Sequence, residues 1–210
     1  MSPARRKSLF EKLSVAIPNP ETELAHDNPF QLLISVILSA QATDVSVNKV
    51  TPALFEAFPD PESMATARVE QILSFIRSIG LAPSKAKNIV NTCSLLVEKH
   101  QGQIPQTLEE LIALPGVGRK TANVMLNTAF GKPVIAVDTH IFRVSNRTGL
   151  AIGKDVREVE DGLMKNVPRK FKKDAHHLLI LHGRYVCKAR KPECPLCVIR
   201  RQCQFEEKII

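Results

Sequence analysis

At 210 residues with 44% hydrophobic side chains, the chain can bury one or two compact cores and is too apolar to be disordered. No apolar run reaches the roughly 18 residues that span a bilayer, and the basic segment Met1 to Lys12 lacks the apolar stretch of a signal peptide. A membrane protein is therefore excluded, and a soluble protein inside a cell is expected. Lys and Arg number 29 against 21 Asp and Glu, giving a net charge of +8 and a pI near 9.4, which favours a polyanionic partner. Trp is absent and Tyr185 is the single tyrosine, which argues against the aromatic platform of a single-strand binder.

In chain order, Asn28-Pro29 supplies a helix N-cap and a first-turn proline. Phe30, Leu33, Ile34, Ile37 and Leu38 then recur at helical spacing along one apolar face. Asp60-Pro61 repeats the start signal ahead of a helix carrying Val69, Ile72, Leu73 and Ile76. Ile89, Val90, Cys93, Leu96 and Val97 mark another, with Cys93 expected in the core. Thr107 and Glu110 have capping-box spacing in front of Leu111 and Ile112. The segment Arg119 to Phe130 ends at Gly131, a residue suited to the position just past a helix. Only Pro133 to Val137 looks strand-like, and one short strand builds no sheet. Helices over Val156 to Val167 and Ala175 to Val186 follow, so the expected fold is all-α. Gly131-Lys132-Pro133 is the best linker by Gly/Pro punctuation.

Three groups of residues carry chemistry. The first is Leu114-Pro115-Gly116-Val117-Gly118-Arg119-Lys120-Thr121-Ala122. Two glycines one residue apart let the backbone turn sharply and approach a partner, and the following helix offers free amides and a positive dipole end. That suits a phosphate. No strand precedes the turn, which sets it apart from a dinucleotide loop. A plain helix–helix turn is the structural alternative. Flanked by helices, the pattern looks like a helix-hairpin-helix that grips one DNA backbone without reading sequence.

The second is Lys120 with Asp138. A cation just inside a helix N-terminus opposes the dipole, so Lys120 is either a solvated or phosphate-contacting residue or a nucleophile. A free lysine titrates near 10.4, and useful nucleophilicity requires a fall of roughly 2–3 units, worth about 3–4 kcal/mol. The dipole supplies only ~0.3–1 kcal/mol of that, leaving the rest to burial or neighbouring cations. A nearby Asp138 would stabilise the ammonium, so it is better cast as a proton acceptor and a stabiliser of positive charge developing on a sugar.

The third is Cys187-x6-Cys194-x2-Cys197-x5-Cys203. Four thiolates in one short segment suit structural zinc or an iron–sulfur cluster, with a disulfide pair as the third option. Around them Lys188, Arg190, Lys191, Arg200 and Arg201 face Glu193 alone; they form a solvated surface or a basic loop pinned against DNA phosphates. His176, His177 and His182 share a helix without an HExxH pattern and are expected to be ordinary core or surface residues.

Taken in order, Ser39-Ala40-Gln41-Ala42-Thr43-Asp44, the Leu114 to Lys120 hairpin, Val137-Asp138-Thr139-His140 and the four-Cys tail resemble the endonuclease III family, bifunctional DNA glycosylases of the helix-hairpin-helix superfamily. The resemblance runs from about Pro29 to Cys203. It implies a 4Fe–4S cluster on Cys187, Cys194, Cys197 and Cys203. It implies Lys120 as the nucleophile attacking C1′ of deoxyribose and Asp138 as the catalytic acid. Gln41 takes the place of a side chain inserted where the nucleotide is extruded, and Ile79 that of a wedge facing the opposite strand. DNA contacts are expected at Leu114, Gly116, Val117, Gly118, Arg119, Lys188, Arg190 and Lys191. Two all-α domains with a DNA cleft between them are implied: a six-helix domain over residues 22–132, and a discontinuous cluster domain over 1–21 and 133–210. The implied partner is double-stranded DNA with damaged bases or abasic sites. A monomeric, cytoplasmic, nucleoid-associated enzyme is expected to remove oxidised pyrimidines and cut 3′ to the abasic site by β-elimination.

The chain departs from some relatives at Leu178, where they carry Trp, and at Ala82-Pro83, where they carry Tyr. These positions bear on packing and substrate preference. An adenine-specific glycosylase of the same superfamily would lack the nucleophilic lysine and carry an extra C-terminal domain. A non-catalytic, metal-stabilised DNA-binding module would bind without chemistry.

Overall fold

The computed structural model describes residues 1–208. Among them the chain is helical with no strand. The α-helices are α1 (Pro3–Ala16), α2 (Pro29–Ser39), α3 (Asp44–Ala57), α4 (Pro61–Ala65), α5 (Val69–Ile76), α6 (Ala82–His100), α7 (Leu108–Ile112), α8 (Arg119–Thr128), α9 (Thr139–Thr148), α10 (Val156–Asn166) and α11 (Ala175–Tyr185). The chain divides into two compact units: Thr22–Phe130, and Met1–Glu21 joined with the chain from Gly131 onward. No helix among the described residues is long and apolar enough to cross a membrane.

In the Thr22–Phe130 unit, α2 starts where Asn28 Oδ1 accepts from the Gln31 amide at 2.9 Å, with Pro29 in the first turn. Every residue from Leu32 to Leu38 is buried, so α2 is a central helix, packed against α3, α6 and α8. The single helix expected after Asp60-Pro61 is two. Asp60 and Ser63 form a reciprocal capping box that starts α4, which stops after Ala65. Arg68 is extended, and the Gln71 side chain caps its amide at 2.9 Å to start α5. The long α6 packs against α2, α4 and α5 and forms the spine of the unit.

In the other unit, α11 packs against α1 and α9, and α9 against α10. Leu9, Phe10 and Leu13 of α1 are fully buried, and Phe10 stacks on Phe171 with ring centroids 5.5 Å apart. Each such side chain contributes roughly 1.5–3 kcal/mol. Polar bonds fasten α1 to the chain's far end: Arg5 donates to the Arg201 carbonyl at 2.9 Å, and Gln202 Nε2 to Ser8 Oγ at 3.0 Å. The strand expected over Pro133 to Val137 does not form. Ile135, Ala136 and Val137 are buried in an extended lead-in to α9, so burial without a pairing partner accounts for the apolar run.

Candidate functional site

The hairpin between α7 and α8 is built by burying every third residue. Thr107 caps α7, accepting from the Glu110 amide at 3.3 Å while its hydroxyl donates to the Glu110 carboxylate at 2.6 Å. Leu111, Leu114 and Val117 are buried, whereas Gly116, Gly118 and Lys120 are exposed. Leu114 and Val117 therefore offer a partner only their backbone. Two residues of α6 brace the turn: Thr92 Oγ1 donates to the Pro115 carbonyl at 2.8 Å, and Asn88 lies under Gly116.

The two glycines serve different ends. Gly116 has φ +77°, and a Cβ there would come 3.0 Å from Asn88 Nδ2. Gly118 has φ −86° and ψ 175°, which any residue adopts, yet nothing lies within 4 Å of where its Cβ would be. It precedes α8 without providing a side-chain cap, so the positive end of that helix begins beside open space. Amides, positive dipole end and open space coincide, which is what an anionic oxygen requires.

Lys120 is the second residue of α8 and is exposed. Asp138 caps α9: its Oδ1 accepts from the Ile141 amide at 2.8 Å, which fixes the carboxylate at the helix start. Lys120 lies in the Thr22–Phe130 unit and Asp138 in the other.

Gln41 and the turn before α6 share an unusual backbone. Gln41 is exposed with φ +55°, in the left-handed region that a side chain disfavours. Ile79, expected to be a wedge, is only 3% exposed, so its side chain serves the interior. The exposed apolar side chain at this turn is Leu81, 57% exposed with φ +62°. Sequence spacing identified the turn but not which residue faces outward, because that depends on a backbone angle. A Cβ on Gly80 would lie 3.6 Å from the Gln41 carbonyl oxygen, so the two turns are neighbours. Lys85 was given no role by sequence. It is 4% exposed, and its Nζ donates to the carbonyls of Leu38 at 2.8 Å and Ala40 at 2.6 Å. Burial pushes its ammonium below the ordinary lysine range.

All five cysteines are free, which removes the disulfide alternative. Cys187, Cys194, Cys197 and Cys203 line one small pocket together with His182, Ile199 and Phe205. Among the described residues no three His, Cys, Asp or Glu side chains converge tightly enough to hold one metal ion. Burial, followed by the neighbouring thiols, pushes Cys197 up to about 11. Burial also raises Cys203. Donors already point at the sulfurs: the Phe205 amide lies 3.4 Å from Cys203 Sγ, and Arg147 Nη1 3.8 Å from Cys187 Sγ. Four soft donors around one cavity, with cations and amides to offset their charge, suit a multi-iron cluster.

The cysteine loop is held from α9. Arg147 donates to the Lys188 carbonyl at 2.7 Å and to the Ala189 carbonyl at 2.8 Å, while Arg143 Nε donates to the Cys187 carbonyl at 2.9 Å. Arg190 and Lys191 are exposed. Lys188 is partly engaged, with its ammonium 3.1 Å from Glu193 Oε1. His176, His177 and His182 are buried among core residues. Cys93 is fully buried, and burial is the main cause that pushes its thiol up to about 12, so it is a core residue.

The profile of the HhH-GPD superfamily of base excision DNA repair proteins matches residues 34–169. Endonuclease III of Escherichia coli (strain K12) is 55% identical over all of this chain and 99% of its own length. Endonuclease III of Haemophilus influenzae is 54% identical with the same coverage. Among solved structures, that of a trapped endonuclease III–DNA covalent intermediate superposes with a TM-score of 0.90 at 47% identity, covering 97% of this chain and 96% of that one.

Proposed function

We propose a two-step repair reaction for this chain, which belongs to the endonuclease III family within the HhH-GPD superfamily and is a base excision DNA repair glycosylase. The substrate is duplex DNA carrying an oxidised pyrimidine, and the enzyme acts as a monomer. Excision is followed by cleavage of the strand 3′ to the abasic site. The observation that carries this reading is Lys120, an exposed amine one residue inside α8, next to a turn suited to hold a phosphate. A relative's capture as a covalent DNA intermediate is consistent with amine chemistry.

In the reaction, the hairpin amides and Gly118 hold one phosphodiester backbone. The target nucleotide leaves the stack, at a penalty of a few kcal/mol that is least for a damaged base. Gln41 enters the gap, and Leu81 takes the wedge role against the opposite strand. Neutral Lys120 attacks C1′ with its lone pair; the N-glycosidic bond breaks, and its electrons leave with the base, which takes up a proton. Ring opening gives a Schiff base between Nζ and C1′. Loss of a C2′ proton then expels the 3′ phosphate, and water releases the lysine. Asp138 carries the proton transfers and stabilises positive charge on the sugar.

Cys187, Cys194, Cys197 and Cys203 fit a 4Fe–4S cluster, which when bound cross-links the tail and fixes the loop bearing Lys188, Arg190 and Lys191. That loop, steadied by Arg143 and Arg147, adds further phosphate contacts. Product analysis tests the reading. Wild type releases the free oxidised base and leaves a 3′ unsaturated aldehyde, and Lys120→Gln yields neither. Excision of an intact adenine opposite a mismatch, without strand cleavage, would replace this reading with the adenine-specific one. Binding with no released base would leave only a DNA-binding module.

A further inference from the structure

We propose that Lys85 is a positioning residue for base extrusion: it clamps the Gln41 turn and the Leu81 turn in the conformation that presents both side chains to DNA. This rests on the reading of Gln41 and Leu81 as the inserting residues. A lysine is an expensive choice for an interior site, since a buried charge must be repaid by its partners. Methionine or leucine would fill the same space without that penalty. The partners of Lys85 are carbonyls at the end of α2, Leu38 at 2.8 Å and Ala40 at 2.6 Å. No carboxylate among the described residues accounts for its burial.

What those carbonyls precede explains the choice. Ala40 ends α2, and the next residue is Gln41 with φ +55°. The ammonium takes up carbonyls that the helix cannot bond at its negative end, and so fixes the point where the chain turns into a disfavoured conformation. Lys85 is also one helical turn past Leu81: its amide donates to the Leu81 carbonyl at 3.0 Å, and Leu81 has φ +62°. Gly80 lets the second turn approach the Gln41 carbonyl. Lys85 thus joins the two turns that carry exposed residues in left-handed backbone, its side chain holding the Leu38 and Ala40 carbonyls 47 and 45 residues away and its backbone amide holding the Leu81 carbonyl.

The test separates extrusion from chemistry. Lys85→Met keeps the stem and removes the donors. Single-turnover rates are measured on a duplex containing 5-hydroxycytosine and on the same duplex with a preformed abasic site, with 2-aminopurine opposite the lesion reporting unstacking. The expected result is a loss of roughly tenfold or more in base excision and a smaller fluorescence rise, with abasic-site cleavage within about threefold of wild type. Because Lys85 acts through Gln41, Lys85→Met combined with Gln41→Ala is no slower than the slower single variant. Lys85→Arg, which retains charge and donors, recovers most of the loss. Equal slowing of both reactions, or effects that multiply with Gln41→Ala, would overturn the proposal. If Lys85→Met does not fold, Lys85→Gln is measured against Lys85→Arg by the same rate ratio. Should Gln41→Ala and Leu81→Ala leave excision unchanged, the insertion reading fails; should they slow it while Lys85→Met does not, the Lys85 proposal alone fails.

Discussion

The two hairpin glycines separate folding from DNA binding. At Gly116, φ is +77° and an added Cβ would meet Asn88 Nδ2 at 3.0 Å and Asn88 Cβ at 3.1 Å. Left-handed backbone costs a residue with a Cβ about 1–2 kcal/mol, and Asn88 must also shift. Gly116→Ala should therefore lower Tm by roughly 3–8 °C, at about 2–4 °C per kcal/mol for a chain of this size. Gly118 has ordinary backbone angles and open space where its Cβ would be. Gly118→Ser supplies a hydroxyl that can cap α8 and reduces the freedom of the unfolded chain, so it should raise stability by about 0.5–1 kcal/mol. Yet that hydroxyl occupies the amides and the space assigned to a DNA phosphate. Affinity for an abasic-analogue duplex should fall by about tenfold, as one charge-assisted hydrogen-bonding site is lost. Denaturant unfolding and fluorescence anisotropy measure the two quantities. Gly118→Ser binding as tightly as wild type would refute the phosphate assignment, and Gly116→Ala unfolding like wild type would refute the backbone argument.

Cys197→Ser should remove the broad visible absorbance of the purified protein and lower its iron content, whereas a colourless wild type with stoichiometric zinc would overturn the cluster assignment. Lys191→Ala should reduce the slope of log affinity against log salt by about 1, and Lys188→Ala by less, because Glu193 already holds its ammonium at 3.1 Å. Burial holds His177 below the usual histidine range, so it is neutral in the fold, while the unfolded chain binds its proton near 6.5. Stability is then fully present above about pH 6.5 and declines below it, and His177→Gln should flatten part of that decline in a Tm series. The rest belongs to groups shifted the same way, such as His182, which burial pushes down to about 4.

Helices whose start signals are local were legible in the sequence. Asn28-Pro29 and Asp60-Pro61 cap with their own side chains, and both caps are formed. Three helices carried weaker signals. In α3, Pro52 sits inside the helix and reads as a breaker. In α1, Leu9 and Phe10 are separated from Leu13 by Glu11 and Lys12, and the three gain their meaning only against the rest of the unit's core. In α9, Asp138 drew attention as a candidate reacting group, which hid its place as the N-cap. At the candidate site, residue types and order were readable, but contacts across the fold were not. Thr92 reaches Pro115 over 23 residues, and Lys85 reaches Leu38 over 47. That Leu81 and not Ile79 is exposed at this turn was not legible, because the left-handed backbone at Leu81 has no residue signature apart from the adjacent glycine.

Borohydride trapping tests the covalent step at Lys120 most directly. Wild type is incubated with an oxidised-pyrimidine duplex under borohydride, and the adduct is digested and located by mass spectrometry. The reduced Schiff base should join the sugar to Nζ of Lys120, and Lys120→Ala should trap nothing. An adduct on another residue, or equal trapping by Lys120→Ala, would contradict the assignment of Lys120 as the nucleophile.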